Sequence, residues 1–213
     1  MHKKLLTRWI VGIVWSLSVT APHGAEPPPL PPPQVTGGKP LMEALQQRRT
    51  IREFKTDPLP PQVMANLLWA GFGINRPATG HRTTPSAMNS QEIDIYVALP
   101  QGTYFYDPKL QSLVLVVTGD LRSRTSGQAF ATNSPLTLVY VADFSKMTKA
   151  EAETRRFYAS FDAGCVCQNV YLFCASTGLA TVVHDLDRSP LASGLKLRPE
   201  QQIIMTQAVG YPK

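Results

Sequence analysis

Apolar positions recur along this chain at two spacings, and the spacing assigns most of its elements. Over residues 40–49, Leu41, Met42, Ala44 and Leu45 fall at helical intervals, and Thr50-Ile51-Arg52-Glu53-Phe54 then reads as extended. Pro61 is placed to open a second helix, where its missing amide costs nothing. Val63, Met64, Leu67, Leu68 and Trp69 form the stripe of that helix, and Gly71 and Gly73 end it. A loop over residues 75–85 follows, and Ser86 is placed to cap a short turn. Ile93-Asp94-Ile95-Tyr96-Val97 alternates as a half-buried strand does, and Tyr104-Phe105-Tyr106 continues the sheet before Asp107-Pro108 turns the chain. Residues 113–117 and 136–141 are continuous apolar runs, the mark of strands covered on both faces. A long helix over about 149–177 ends at Gly178, and residues 180–183 and 203–209 supply two more strands. Helices on both sides of a central mixed sheet give an α+β layered fold, with no internal repeat.

The length of 213 residues suits one substantial core. Before that core come two segments of different character. Residues 1–25 join a basic start (Lys3, Lys4, Arg8) to an apolar stretch and the small pair Gly24-Ala25, which matches a secretory signal and predicts export, to the periplasm in a bacterial setting. The alternative is an uncleaved anchor. Residues 26–38 are proline-rich and read as a stiff extended spacer, leaving 39–213 as the folded domain. The formal charge of +6 invites a nucleic-acid reading, but removing Lys3, Lys4 and Arg8 leaves 18 basic residues against 15 acidic ones, a charge of +3. That is weak attraction for a polyanion, so no nucleic-acid partner is expected. Cys165, Cys167 and Cys174 are odd in number and lie in an apolar helical stretch, so they read as small core residues and not as a disulfide or metal framework. No metal site is expected.

Three segments carry the candidate chemistry. Arg48-Arg49-Thr50-Ile51-Arg52 at a helix end offers guanidinium forks and a hydroxyl suited to a phosphate; its plain structural role is to complement a helix C-terminal dipole. Arg82-Thr83-Thr84-Pro85-Ser86-Ala87-Met88-Asn89-Ser90-Gln91 is dense in hydroxyls and amides, which suit the edge of a heteroaromatic ring, or serve an ordinary surface turn. The third pairs Gln168-Asn169-Val170-Tyr171-Leu172 with Gly178-Leu179-Ala180-Thr181-Val182-Val183-His184-Asp185, and taken alone it is core packing.

In this order and at these intervals, the segments resemble the FMN-dependent nitroreductase family, particularly its SagB-type dehydrogenase branch. The likeness runs from about residue 41 to 212 and includes Arg48-x-Thr50-x-Arg52-x-Phe54, Asn75-Arg76-Pro77, Arg82-x-x-Pro85-Ser86-Ala87, Tyr104-x-Tyr106-Asp107-Pro108 and Gly210-Tyr211-Pro212. The resemblance implies a nitroreductase-like, mainly antiparallel sheet in a homodimer, with FMN at the subunit interface and both chains contributing to each site. Arg48 would bind the FMN phosphate, Thr50 would hydrogen-bond beside it, and Arg52 would approach the N1/O2 side of the ring. Pro85, Ser86, Ala87 and Asn89, with Gln91 after them, would reach the flavin from the neighbouring subunit. Val183, His184 and Asp185 align with the stretch whose backbone amide faces flavin N5, and Lys213 stands where relatives place further basic residues toward the phosphate. His184 itself reads as a structural bystander. The Lys-Tyr pair expected of azoline-oxidising members is absent, which argues against peptide heterocycle oxidation. The expected activity is electron transfer through FMN to or from a small organic or quinone-like substrate. NAD(P)H would be the donor in the cytoplasm, and another donor is expected after export. The alternative is a non-catalytic flavin-binding or partner-docking exported protein.

Overall fold

The computed structural model describes residues 26–213; the segment expected to be a signal lies outside them. Helices α1 (Leu41–Gln47) and α2 (Pro61–Phe72) precede a small hairpin, β1 (Ile74–Arg76) and β2 (His81–Arg82). Strands β3 (Ile93–Leu99), β4 (Gly102–Asp107) and β5 (Ser112–Thr118) follow, then α3 (Ala129–Asn133), β6 (Leu136–Asp143), α4 (Ala152–Thr177), β7 (Ala180–His184), α5 (Arg188–Leu195) and β8 (Gln201–Gly210). Six strands form one sheet in the order β5-β4-β3-β6-β8-β7. Every pairing in it is antiparallel, so the expected mixed sheet is antiparallel throughout.

Period two decides which helix each strand residue meets. Ile93, Ile95, Val97 and Leu99 point into a core shared with α2 and α4, whereas Tyr96 points to the opposite face, beside Leu191 and Leu195 of α5. Because α5 covers that second face, β3 is buried at every position; the half-buried expectation missed a covering helix that the periodicity did not reveal. The opposite correction applies to β5, which was expected to be covered on both faces. It is an edge strand, and Val114 and Leu115 are exposed.

Helix α4 contributes Ala159, Ala163, Val166, Val170 and Cys174, spaced three and four apart, as its buried stripe. Gly71 lets α2 approach closely, since a Cβ there would meet the Val170 side chain at 3.3 Å. Gly178 ends α4 with φ of 77°, the left-handed turn that sends the chain into β7. The proline-rich segment, expected to be a stiff extended spacer, lies against the domain. Leu30 packs on the main core, the Gln62 side-chain amide donates to the Pro32 carbonyl at 2.9 Å, and the Gln34 amide donates to Asn66 Oδ1 at 2.7 Å.

Candidate functional site

A cleft of about 510 Å3 opens where the end of α1 meets α4 and the start of β7. Its lining carries Lys39, Arg48 and Arg49 and no carboxylate. The extended segment after α1 is brought here by main-chain bonds: the Ile51 amide donates to the Thr181 carbonyl at 3.1 Å, and Phe54 bridges to Pro212. Tyr171 of α4 then ties the segments together. The Arg48 guanidinium carbon lies 5.3 Å from its ring centroid, its hydroxyl is 3.2 Å from Thr50 Oγ1, and the same hydroxyl accepts from the Val183 amide at 3.0 Å. The cation–π contact holds the guanidinium over the ring and leaves its N–H groups able to donate to an anion. Three arginine and lysine side chains around a cleft without acids fit a phosphate dianion, and Tyr171 and Thr50 supply the neighbouring hydroxyls.

Sequence reasoning missed Tyr171 as a site residue, because a tyrosine in an apolar helix reads as packing. The available signal was its polar tip, which a partly buried tyrosine directs at a partner. The other expected residues divide. Thr50 reaches Tyr171, but Arg52 is exposed and does not line the cleft. Lys213 is exposed too, its main chain held by donation to the Glu53 carbonyl at 3.3 Å. The Val183 amide is committed to Tyr171. The side chain of His184 is buried, with Nδ1 3.0 Å from Thr206 Oγ1 and its ring 5.3 Å from that of Phe130, and burial holds its pKa below the ordinary value. Asp185 is exposed and pairs with Arg188 at 3.1 Å.

The loop holding Pro85, Ser86, Ala87 and Asn89 stands elsewhere. It lines none of the Arg48 cleft, and it is anchored in the N-terminal half of α4, where Asp162 Oδ2 accepts the Ala87 amide at 2.8 Å. Tyr171 lies nine positions after Asp162 on the helix, roughly 13 Å along the axis. Within one chain the two halves of the expected site therefore remain apart. The loop is tightly built: Met88, Asn89 and Gln91 all have positive φ, and Ser86 Oγ accepts the Gln91 amide at 2.7 Å while donating to Glu92 Oε2 at 3.0 Å. Beneath it Glu92 and Asp162 are both buried. Burial pushes the Glu92 carboxyl up to about 7, main-chain hydrogen bonding opposes this, and the Asp162 charge adds to it.

The three cysteines are free, with Cys167 and Cys174 buried on α4. Burial pushes the Cys167 thiol up to about 12, so it packs as a small apolar group.

The chain thus joins an antiparallel sheet between helices to a cationic cleft at the seam of α1, α4 and β7. The family model described as Nitroreductase matches residues 45–211, and the chain belongs to the nitroreductase family. With it the chain belongs to a group of oxidoreductases that are in general flavin-dependent. A provisionally named nitroreductase of Methanocaldococcus jannaschii is 30% identical over 152 residues, covering 67% of this chain and 76% of that protein. A crystal structure of a provisionally named nitroreductase from Ralstonia eutropha is 42% identical with a TM-score of 0.82, covering 86% of this chain and 88% of that one. A chain of the E. coli microcin synthetase McbBCD complex shares the fold at 21% identity and a TM-score of 0.67, over 76% of this chain and 67% of its own.

Proposed function

We propose that this chain binds FMN in the Arg48 cleft and exchanges electrons with a small organic or quinone-like substrate, working as a homodimer. The observation that carries this reading is the acid-free cationic cleft in which Tyr171 joins Arg48, Thr50 and Val183. Bound FMN would supply two-electron redox chemistry, and the protein would supply position and electrostatics. Arg48, with Lys39 and Arg49, would grip the phosphate; Thr50 and Tyr171 would fix the groups beside it. Arg52, exposed just beyond the cleft, would act on the ring only where the bound ring extends over it, stabilising negative charge as the ring is reduced.

The homodimer rests on two features. The 85–91 loop is preformed yet remote from its own chain's cleft, so a neighbouring chain is needed to bring them together. Phe157 and Phe161, one turn apart on α4, are 70% and 63% exposed, an apolar face suited to burial between copies. The Arg82-x-x-Pro85-Ser86-Ala87 motif supports a place in the SagB-type branch, and the pattern of residues 1–25 supports export, with a donor other than free NAD(P)H.

The test is a visible spectrum of the purified chain, followed by reductive titration with dithionite and addition of a quinone or nitroaromatic acceptor. A flavin spectrum bleached by reductant and restored by acceptor is expected. A colourless protein that ignores added FMN overturns the reading and favours a docking role. A reporter fused after residue 25 that stays in the cytoplasm would overturn export alone.

A further inference from the structure

The proline-rich segment is held by two helices before it reaches the cationic cleft. On α2, Gln62 and Asn66 stand one turn apart. Asn66 Oδ1 accepts the Gln34 amide at 2.7 Å and the Gln62 side-chain amide at 3.0 Å, and that Gln62 amide also donates to the Pro32 carbonyl at 2.9 Å. Upstream, Leu30 packs on the main core and Pro28 lies beside Pro58, Pro61 and Met64. On α4, Ser176 Oγ accepts the Lys39 amide at 2.7 Å. Proline has no amide to donate, so a proline-rich segment has few main-chain donors. Two of those that remain, on Gln34 and Lys39, are both bonded to side chains of the domain.

Between the two helices the chain turns at Gly37 and Gly38, with φ of 100° and 77°. Gly38 passes so close to α4 that a Cβ there would meet Ser176 Oγ at 2.5 Å. Glycine alone meets both demands, the positive φ and the close approach. The crossing delivers Lys39 to the lining of the Arg48 cleft, where its Nζ donates to Gln47 Oε1. Lys39 forms no ion pair among the described residues, so its charge is uncommitted. A lysine carries that charge on a flexible stem, and its reach is therefore decided by where its main chain is fixed. Fixing the main chain in advance removes part of the ordering cost of gripping an anion.

We propose that the proline-rich arm is a strap belonging to the cofactor site: Asn66 on α2 and Ser176 on α4 are positioning residues that hold Lys39 at the cleft. The grip on a phosphate is then set in part by residues that do not line the cleft. The inference rests on the FMN reading for the identity of the anion.

The experiment titrates the flavin-free full-length chain with FMN and with riboflavin, which has the same ring and no phosphate, and follows flavin fluorescence. Ser176→Ala should weaken FMN about fivefold, the size of a half-exposed charge contact, and Asn66→Leu should weaken it by at least about twofold. Riboflavin affinity should stay unchanged in both, whereas a general loosening of the fold would weaken the two flavins alike. Lys39→Met should match Ser176→Ala, and the double variant should lose no more than Lys39→Met alone, because the two changes remove one interaction. The two positioning residues sit on different helices, so either variant serves where the other fails to fold. FMN affinity unchanged in the folded variants, equal losses for the two flavins, or additive losses in the double variant overturns the proposal. If the wild-type chain binds neither flavin, the FMN reading has failed; calorimetry with inorganic phosphate on wild type and Ser176→Ala then judges the strap by itself. Phosphate bound more weakly by the variant supports the strap, and equal binding, or none to wild type, overturns it.

Discussion

At the scale of single residues, the site turns on what Tyr171 holds. Its ring fixes Arg48 and its hydroxyl receives the Val183 amide. Removing the charge and removing the hydroxyl should therefore have different signatures. With FMN seated as proposed, Arg48→Ala would lose a charge-assisted contact to a dianion, on the order of 1.5 to 3 kcal/mol, and should weaken FMN about 10- to 100-fold in a flavin titration. Arg52→Ala should weaken it less, because Arg52 does not line the cleft. Tyr171→Phe keeps the stack but strands the Val183 amide, so the melting temperature of the flavin-free chain should fall, by the equivalent of about 1 to 3 kcal/mol. Equal loss of FMN affinity in the two arginine variants would show that the ring, and not the phosphate alone, depends on both cations. Arg48 and Thr50 were legible in the sequence because their chemistry is local to one segment. Tyr171 was not, since its partners come from segments far apart along the chain.

At the scale of elements, α4 is the ruler of the molecule, and its two ends are held differently. Its C-terminus depends on a left-handed residue at Gly178, where an added Cβ would meet nothing within 4 Å. Gly178→Ala should thus destabilise through backbone conformation alone, by about 1 kcal/mol in denaturant unfolding. Toward its N-terminal half, Asp162 and buried Glu92 hold the 85–91 loop. Folded Glu92 keeps its proton to about pH 7, above the ordinary value of 4.5, so the folded chain binds the extra proton between these limits. Stability from this group is fully present below pH 4.5 and is lost as pH rises through about 7, with a slope of at most about 1.4 kcal/mol per pH unit. Glu92→Gln should shrink the drop in melting temperature between pH 5 and pH 7.5; an unchanged drop would place the proton elsewhere. Neither the proximity of the Glu92 and Asp162 carboxyls nor the helix α5 was readable beforehand. The former joins residues 70 apart, and the latter, Arg188-Ser189-Pro190-Leu191-Ala192-Ser193-Gly194-Leu195, offers only two buried leucines as a pattern. Long elements such as α2, β6 and α4 were legible because burial on one face or both writes itself into many positions of one segment.

At the scale of the whole molecule, the geometry of one chain keeps apart a cationic cleft near Tyr171 and a polar loop of positive-φ residues near Asp162, which are the two halves of the proposed site. The Phe157–Phe161 face of α4 lies at the same end of the helix as the loop anchor, so a contact that covers those rings would also carry each loop toward another chain. Assembly and flavin retention should then rise and fall together. Sedimentation of the wild-type chain should give a dimer, and Phe161→Glu, which places a charge where burial is required, should shift it toward monomer by raising the dissociation constant tenfold or more. The same variant should release FMN on dilution although every residue of its own Arg48 cleft is intact. A monomer that retains FMN as firmly as the dimer would show that each chain completes its own site, and the loop would need a different role.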